Sequence, residues 1–172
     1  MRYISVICVL VLFLFSCNET QNNVDDLLQS VNWNERKATT VNDSLLKNSG
    51  STYLSVYSQI YSLTEHRTHN LTATISMRNV SRTDTIYLKA ADLYDTHGDL
   101  VKKHIDFPVF LKPLETLEIV IKESDRSGGT GGNFVFDWVT PNNAPEPLFE
   151  AIMISTMGQQ GLSFSTQGKR IK

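Results

Sequence analysis

Cysteine is almost absent from this chain of 172 residues: it has two, Cys8 and Cys17. Everything after Cys17 therefore lacks a thiol nucleophile, a thiolate metal site and a disulfide. An excess of either charge is also missing. Sixteen basic residues against eighteen acidic ones leave a net charge of −2. That balance gives no electrostatic footprint for nucleic acid and no polyanionic tail. No apolar run reaches the ~20 residues of a spanning helix. Absent too are a Gly-x-Ser-x-Gly elbow, a phosphate loop ending in Gly-Lys-Ser/Thr and a His-Glu-x-x-His pair. What is present is a hydrophobic content of 41%, enough for one packed domain and a tail.

The N-terminus reads as an address and an anchor. Arg2 supplies a positive start, and Ile4–Phe15 follows as an apolar run of 12 residues, the length of a signal-peptide core. Leu14-Phe15-Ser16-Cys17 comes next. A leucine three positions before a cysteine, with a small residue immediately before it, resembles the lipobox of bacterial lipoproteins. That resemblance implies a signal peptide over residues 1–16 and lipidation of Cys17, which makes the membrane a partner through the anchor. Asn18 in second place implies an outer-membrane lipoprotein facing the periplasm; the cell surface is the alternative. Residues 17–52 are polar and rich in Asn, Ser, Thr and Gln, and are expected to form a flexible tether. Asp43-Ser44-Leu45 resembles an O-glycosylation sequon of some Gram-negative phyla, which makes Ser44 a glycosylation candidate.

From Tyr53 the hydrophobic pattern turns to period two, the signature of strands. Leu71, Ala73, Ile75 and Met77 alternate with Thr72, Thr74 and Ser76. Ile86, Leu88 and Ala90 continue in the same way, and a phase shift across Ala90-Ala91 predicts a bulge or a change of sheet. Asp95–Asp99 predicts a hairpin turn into Leu100–Lys103. Leu117, Ile119 and Ile121 form another strand, as do Phe134, Phe136 and Trp138. Leu148–Met157 is apolar almost throughout and reads as a central strand, with Leu162 and Phe164 opening the last. Seven to nine short strands without a convincing helix predict an all-β domain over residues 53–172. An antiparallel β-sandwich, immunoglobulin-like and Greek-key, is the expectation, with a small closed β-barrel as the alternative.

Longer stretches carry a family likeness. They are Leu93–Val101, Leu111-Lys112-Pro113-Leu114-Glu115, Gly128–Phe134 with Trp138, and Gly158–Phe164. In these the chain resembles an uncharacterised family of bacterial lipoproteins, a domain of unknown function, over Leu54–Ile171. The resemblance implies a lipoprotein with one domain and carries no activity.

Two constellations stand out as ligand or partner contacts. In Gly128-Gly129-Thr130-Gly131-Gly132-Asn133, four glycines in five positions either offer backbone N–H groups to an anion or let another segment pack closely. Tyr53, Tyr57 and Tyr61, read as one strand face, suit stacking on a sugar or cover for an exposed sheet. The four histidines fall in or beside turns. No grouping predicts a metal site, a cofactor or a nucleophile with its base. The sequence thus points to a lipid-anchored envelope module that binds or assembles without catalysis, its partner an unidentified envelope protein or glycan, with no role for nucleic acid. A glycan-binding aromatic face and, further off, a hydrolase are the alternatives.

Overall fold

A computed structural model describes residues 31–38, 48–156 and 161–172. Val31–Lys172 forms one compact unit. Its strands, in chain order, are β1 Asn48–Ser55, β2 Gln59–Ser62, β3 Thr64–Asn70, β4 Thr72–Arg78, β5 Ile86–Tyr94, β6 Leu100–Ile105, β7 Val109–Leu111, β8 Thr116–Ile121, β9 Asn133–Thr140, β10 Leu148–Ser155, β11 Leu162–Gln167 and β12 Lys169–Arg170. No α-helix occurs among the described residues; a single 3-10 turn spans Trp33–Arg36.

The first sheet runs β12-β1-β9-β5-β6, with β7 also paired to β5; the second runs β11-β10-β4-β8. Every pairing is antiparallel. Neither sheet closes on itself, so the fold is an open sandwich and not a barrel. The side chains that alternate inward from both sheets make one core. Phe136 of β9 and Phe149 of β10 stack across the layers with ring centroids 4.3 Å apart, and Phe134 stacks on Phe136 at 5.4 Å. Such pairs add to the burial energy of the rings themselves. Trp138 is buried beside them, its indole N–H donating to Thr52 Oγ1 at 3.0 Å. The bulge expected near Ala90-Ala91 is present, with the β5–β9 register shifting between Leu88 and Ala90. The Asp95–Asp99 turn joins β5 to β6 as expected, and β10 is an inner strand of its sheet.

Two boundaries differ from the sequence reading. Strand β1 begins at Asn48, because Asn48–Gly50 pairs with Thr140, Val139 and Trp138 of β9. Val31–Ala38, expected within the tether, packs on the body. Trp33 and Val31 lie against the core, Ala38 N–H donates to Pro108 C=O at 2.8 Å, and Arg36 pairs with Glu115 at 2.6 Å. The Arg36 guanidinium also sits over the Phe110 ring, 5.7 Å from its centroid.

The register sorts the loops to two ends. At the end where β1 starts lie the connections 79–85, 112–115 and 141–147. At the end where β1 finishes lie residues 56–58, the β2–β3 hairpin, the Asp95–Asp99 turn and the glycine loop 128–132. We name these the proximal and distal ends.

Candidate functional site

Glycine loop and hairpin meet at the distal end. Strand β1 does not run on to Tyr61 as its alternation implied. Val56 N–H donates to Gly132 C=O at 2.9 Å, and both Ser58 N–H and Gln59 N–H donate to Gly129 C=O at 3.1 Å. The loop thereby captures the chain at Val56–Gln59 and turns it into a separate ribbon, β2–β3, held by Gln59 opposite Asn70 and Ile60 opposite His69. Gln59 Nε2 donates to Asn70 Oδ1 at 3.0 Å and to Thr68 Oγ1 at 3.1 Å.

The glycines face this chain's own atoms. A Cβ on Gly132 would stand 2.7 Å from Gly128 C=O and 2.9 Å from Val56 C=O, and one on Gly128 would stand 2.8 Å from Ser58 Oγ. Gly129 has φ +66°, a conformation that glycine adopts without strain. Thr96 of the Asp95–Asp99 turn closes the loop from the other side: its hydroxyl donates to Gly128 C=O at 3.3 Å and accepts from Gly131 N–H at 2.9 Å. Gly129 N–H is taken by Arg126 C=O at 3.0 Å. Two of the loop's N–H groups thus already have partners within the chain, and the loop acts as a buttress for its neighbours.

The three tyrosines do not share a face. Tyr53 lies on β1, Tyr57 in the connection and Tyr61 on β2. The Tyr57 ring packs edge-on against Phe164 at 5.9 Å, which removes the middle ring of any stacking platform. Tyr61 is 61% exposed and its hydroxyl accepts from Thr130 Oγ1 at 3.5 Å. Beside it, Leu63 at the hairpin tip is 88% exposed with φ +65°, a backbone region that a leucine enters at a cost of about 1–2 kcal/mol. Tyr61 and Leu63 of the ribbon, with Thr130 of the glycine loop beside them, therefore form a polar-to-apolar strip at an exposed tip. Asn133 opens β9 opposite Ser55 and Tyr94. Cys17 and Ser44 lie outside the described residues.

His104 is a half-buried titratable group near this end. Desolvation beside the Phe134 ring, 5.3 Å away, and the Lys102 charge hold its imidazole down to about 4, against a smaller pull upward from Asp125. Its Nε2 is buried without a partner. Hydrogen bonds from Ser127 N–H and Oγ hold the Asp125 carboxyl below its ordinary value. No three His, Cys, Asp or Glu side chains converge as a metal site among the described residues. A shallow cleft of about 310 Å³ opens elsewhere, on the first sheet, lined by Ser51, Lys89, Asp137 and Lys172 over Trp138.

The family described as "Protein of unknown function (DUF3124)" matches residues 49–171. The chain belongs to the DUF3124 family. The match runs from the second residue of β1 to the last but one of the chain, so this family domain is the whole sandwich, both ends included. No curated protein matches. A solved structure titled "Crystal Structure of Thermotoga maritima 1070" is similar at 9% identity and a TM-score of 0.45, over 70% of this chain and 92% of that one. Sequence reasoning found the glycine loop of this DUF3124 domain but missed Leu63 and Thr96, since neither a positive φ nor a cross-loop hydroxyl leaves a periodic signal.

Proposed function

We propose that the protein is a lipid-anchored module of the cell envelope, held at Cys17 in the outer membrane and facing the periplasm, which binds a partner protein without catalysis. The observation that carries the binding reading is the exposed tip of the β2–β3 ribbon. It presents Leu63 and Tyr61 to solvent on a base fixed by Gly129 and Gly132 carbonyls. An apolar tip on a buttressed base loses little freedom on binding, which favours affinity. The anchor rests on the lipobox-like Leu14-Phe15-Ser16-Cys17. No helix among the described residues is long and apolar enough to cross a membrane; in this reading a lipid at Cys17 supplies the attachment. Burial of its acyl chains contributes about 0.8 kcal/mol per CH₂.

A photoreactive amino acid at Leu63, in the native host, tests the binding reading. A discrete protein adduct is expected, lost on Tyr61→Ala and absent when the probe sits at Lys89 on the first sheet. Equal labelling from both positions would refute the ribbon as the contact. For the anchor, Cys17→Ser should abolish labelling by a clickable fatty acid and release the protein from the membrane fraction.

A further inference from the structure

The proximal end is tied by one buried side chain. Asn79 Nδ2 donates to Asp84 C=O at 2.8 Å, Lys112 C=O at 2.9 Å and Leu111 C=O at 3.1 Å, and Asn79 Oδ1 accepts from Ser81 N–H at 2.9 Å. Asn79 N–H donates to Glu115 C=O and Leu114 N–H to Ser81 C=O. Loops 79–85 and 112–115 are thereby one rigid surface.

That surface displays an unexpected residue. Lys112-Pro113-Leu114-Glu115 is a β-turn closed by Glu115 N–H on Lys112 C=O at 3.1 Å. Proline in second place and a positive φ in third, +58° at Leu114, form the pattern that normally takes glycine or asparagine in third place. Leucine is strained there, and its side chain is 65% exposed; folding alone gains nothing from it. Val80, on the adjoining loop, is 42% exposed. Arg82 and Lys112 flank the pair, both exposed and in no ion pair among the described residues. Of the carboxylates close by, Glu115 is ion-paired with Arg36, whereas Asp84 accepts from the hydroxyls of Ser81 and Thr83 and keeps its charge, so the cationic excess is small.

The path of the chain leads to the same place. Lys37 bridges antiparallel to Val109, so going back toward Val31 runs alongside β7 toward the Leu114 turn. Thirteen residues lie between Cys17 and Val31. At ~3.3–3.6 Å for each of the 14 steps from Cys17 to Val31, the chain between them spans at most about 50 Å. An anchor at Cys17 therefore keeps the proximal end within reach of the bilayer.

Resting on the lipid-anchor reading above, we propose that the proximal end docks on the bilayer surface. Leu114 and Val80 enter the headgroup boundary, and Arg82 and Lys112 face anionic lipid phosphates. Aliphatic tips flanked by unpaired cations are the chemistry that an anionic interface recognises. The ribbon at the distal end then points away from the membrane.

Because cysteine is confined to Cys8 and Cys17, Val80→Cys or Leu63→Cys provides a reporter in the body. The mature acylated protein, carrying an environment-sensitive dye at either position, is reconstituted in phosphatidylethanolamine–phosphatidylglycerol vesicles. A blue shift and quenching by brominated lipid are expected at position 80 and not at 63. Both should weaken several-fold with Leu114→Gly or Arg82→Glu, and in phosphatidylcholine vesicles. Leu114→Gly relieves the backbone, so an unchanged or raised melting temperature separates lost insertion from lost folding. An aqueous reporter at 80, equal signals at 80 and 63, or a shift seen in cells but never in vesicles would overturn the proposal, the last by assigning the surface to a protein. Intact mass reads the anchor separately. If acyl chains are missing and the reporter at 80 still enters phosphatidylglycerol vesicles, the anchor falls and the docking face stands. If the acyl-free protein leaves that reporter in water, both fall.

Discussion

Replacing Asn79 by alanine is the most informative perturbation of the sandwich itself. The side chain is 2% exposed and engages three carbonyls and one N–H. Its amide has only two protons for those three carbonyls, so one bond is shared. Each net hydrogen bond is worth about 0.5–1.5 kcal/mol, and a buried partner left unsatisfied costs about 1–3 kcal/mol. Water reaches part of a loop end, so the upper sum does not apply, and a loss of about 3 kcal/mol is the reasoned value. For a domain of this size that lowers the melting temperature by roughly 10 °C. Urea titration should show the midpoint falling with the slope unchanged. Two further variants separate hydrogen bonding from packing. Asn79→Leu fills the same volume without donors and should be no better than alanine. Asn79→Asp keeps the acceptor for Ser81 N–H but sets a carboxylate against three carbonyls, so it should be at least as destabilised near neutral pH and partly recover in acid, where a protonated carboxyl can donate. A loss below about 1 kcal/mol for alanine, or rescue by leucine, would refute the account of Asn79 as the tie between the loops.

Other expected outcomes concern single positions. Gly132→Ala sets a Cβ against two backbone carbonyls and should destabilise by about 2–3 kcal/mol. Gly98→Ala, at φ +84° with nothing within 4 Å, should lose only about 1 kcal/mol of conformational energy; denaturation of both reads the difference. Leu114→Gly should stabilise by about 0.5 kcal/mol, the released strain set against the greater freedom of unfolded glycine. His104 stays neutral in the fold down to about pH 4 while its unfolded value is near 6.5, so unfolding takes up a proton between those limits. Stability should be full above pH 6.5 and fall toward pH 4, and His104→Leu should flatten that limb in melts recorded across the range. A chain starting at Ser51 loses Asn48–Gly50 of β1 and the docked Trp33 segment, and should melt several degrees below one starting at Val31 by calorimetry.

Strands whose inward residues are aliphatic or aromatic were readable from alternation: β4 from Ala73, Ile75 and Met77, β8 from Leu117, Ile119 and Ile121, and β9 from Phe134, Phe136 and Trp138. The phase slip at Ala90-Ala91 was readable for the same reason. Asn48–Thr52 was not, because its side chains are polar and the strand is dictated by ladder bonds to β9, a partner distant in sequence. Trp33 looked isolated in a polar stretch; its place beside the core comes from a bridge between Lys37 and Val109 that no local pattern encodes. At the candidate site the glycine cluster was visible, but its role as a clamp on Val56–Gln59 depends on carbonyl directions. Tyr53, Tyr57 and Tyr61 kept the right spacing for one face, and the clamp broke the strand between them. The proline of the Lys112–Glu115 turn signals a bend, yet the positive φ at Leu114 and its exposure are tertiary facts.

Strand β1 has consequences for how the molecule is made. It is the first strand to be synthesised among the described residues, and both its neighbours come late: Ser55 faces Asn133, and Thr52 faces Arg170. No nearby segment can shelter it in the meantime. Folding from one end to the other is therefore closed to this topology, and the high average separation of contacting residues places it among slow folders. Lys169–Lys172 covers the other side of β1, where Ser51 N–H donates to Lys172 C=O and Ile171 N–H to Ser51 C=O, and Arg170 engages Glu146. Until those final residues reach β1, one side of the strand stays an open edge able to pair with another chain. A chain shortened by a few residues at its C-terminus would keep that edge for good, and its failing would show first as self-association and only afterwards as a lower melting temperature.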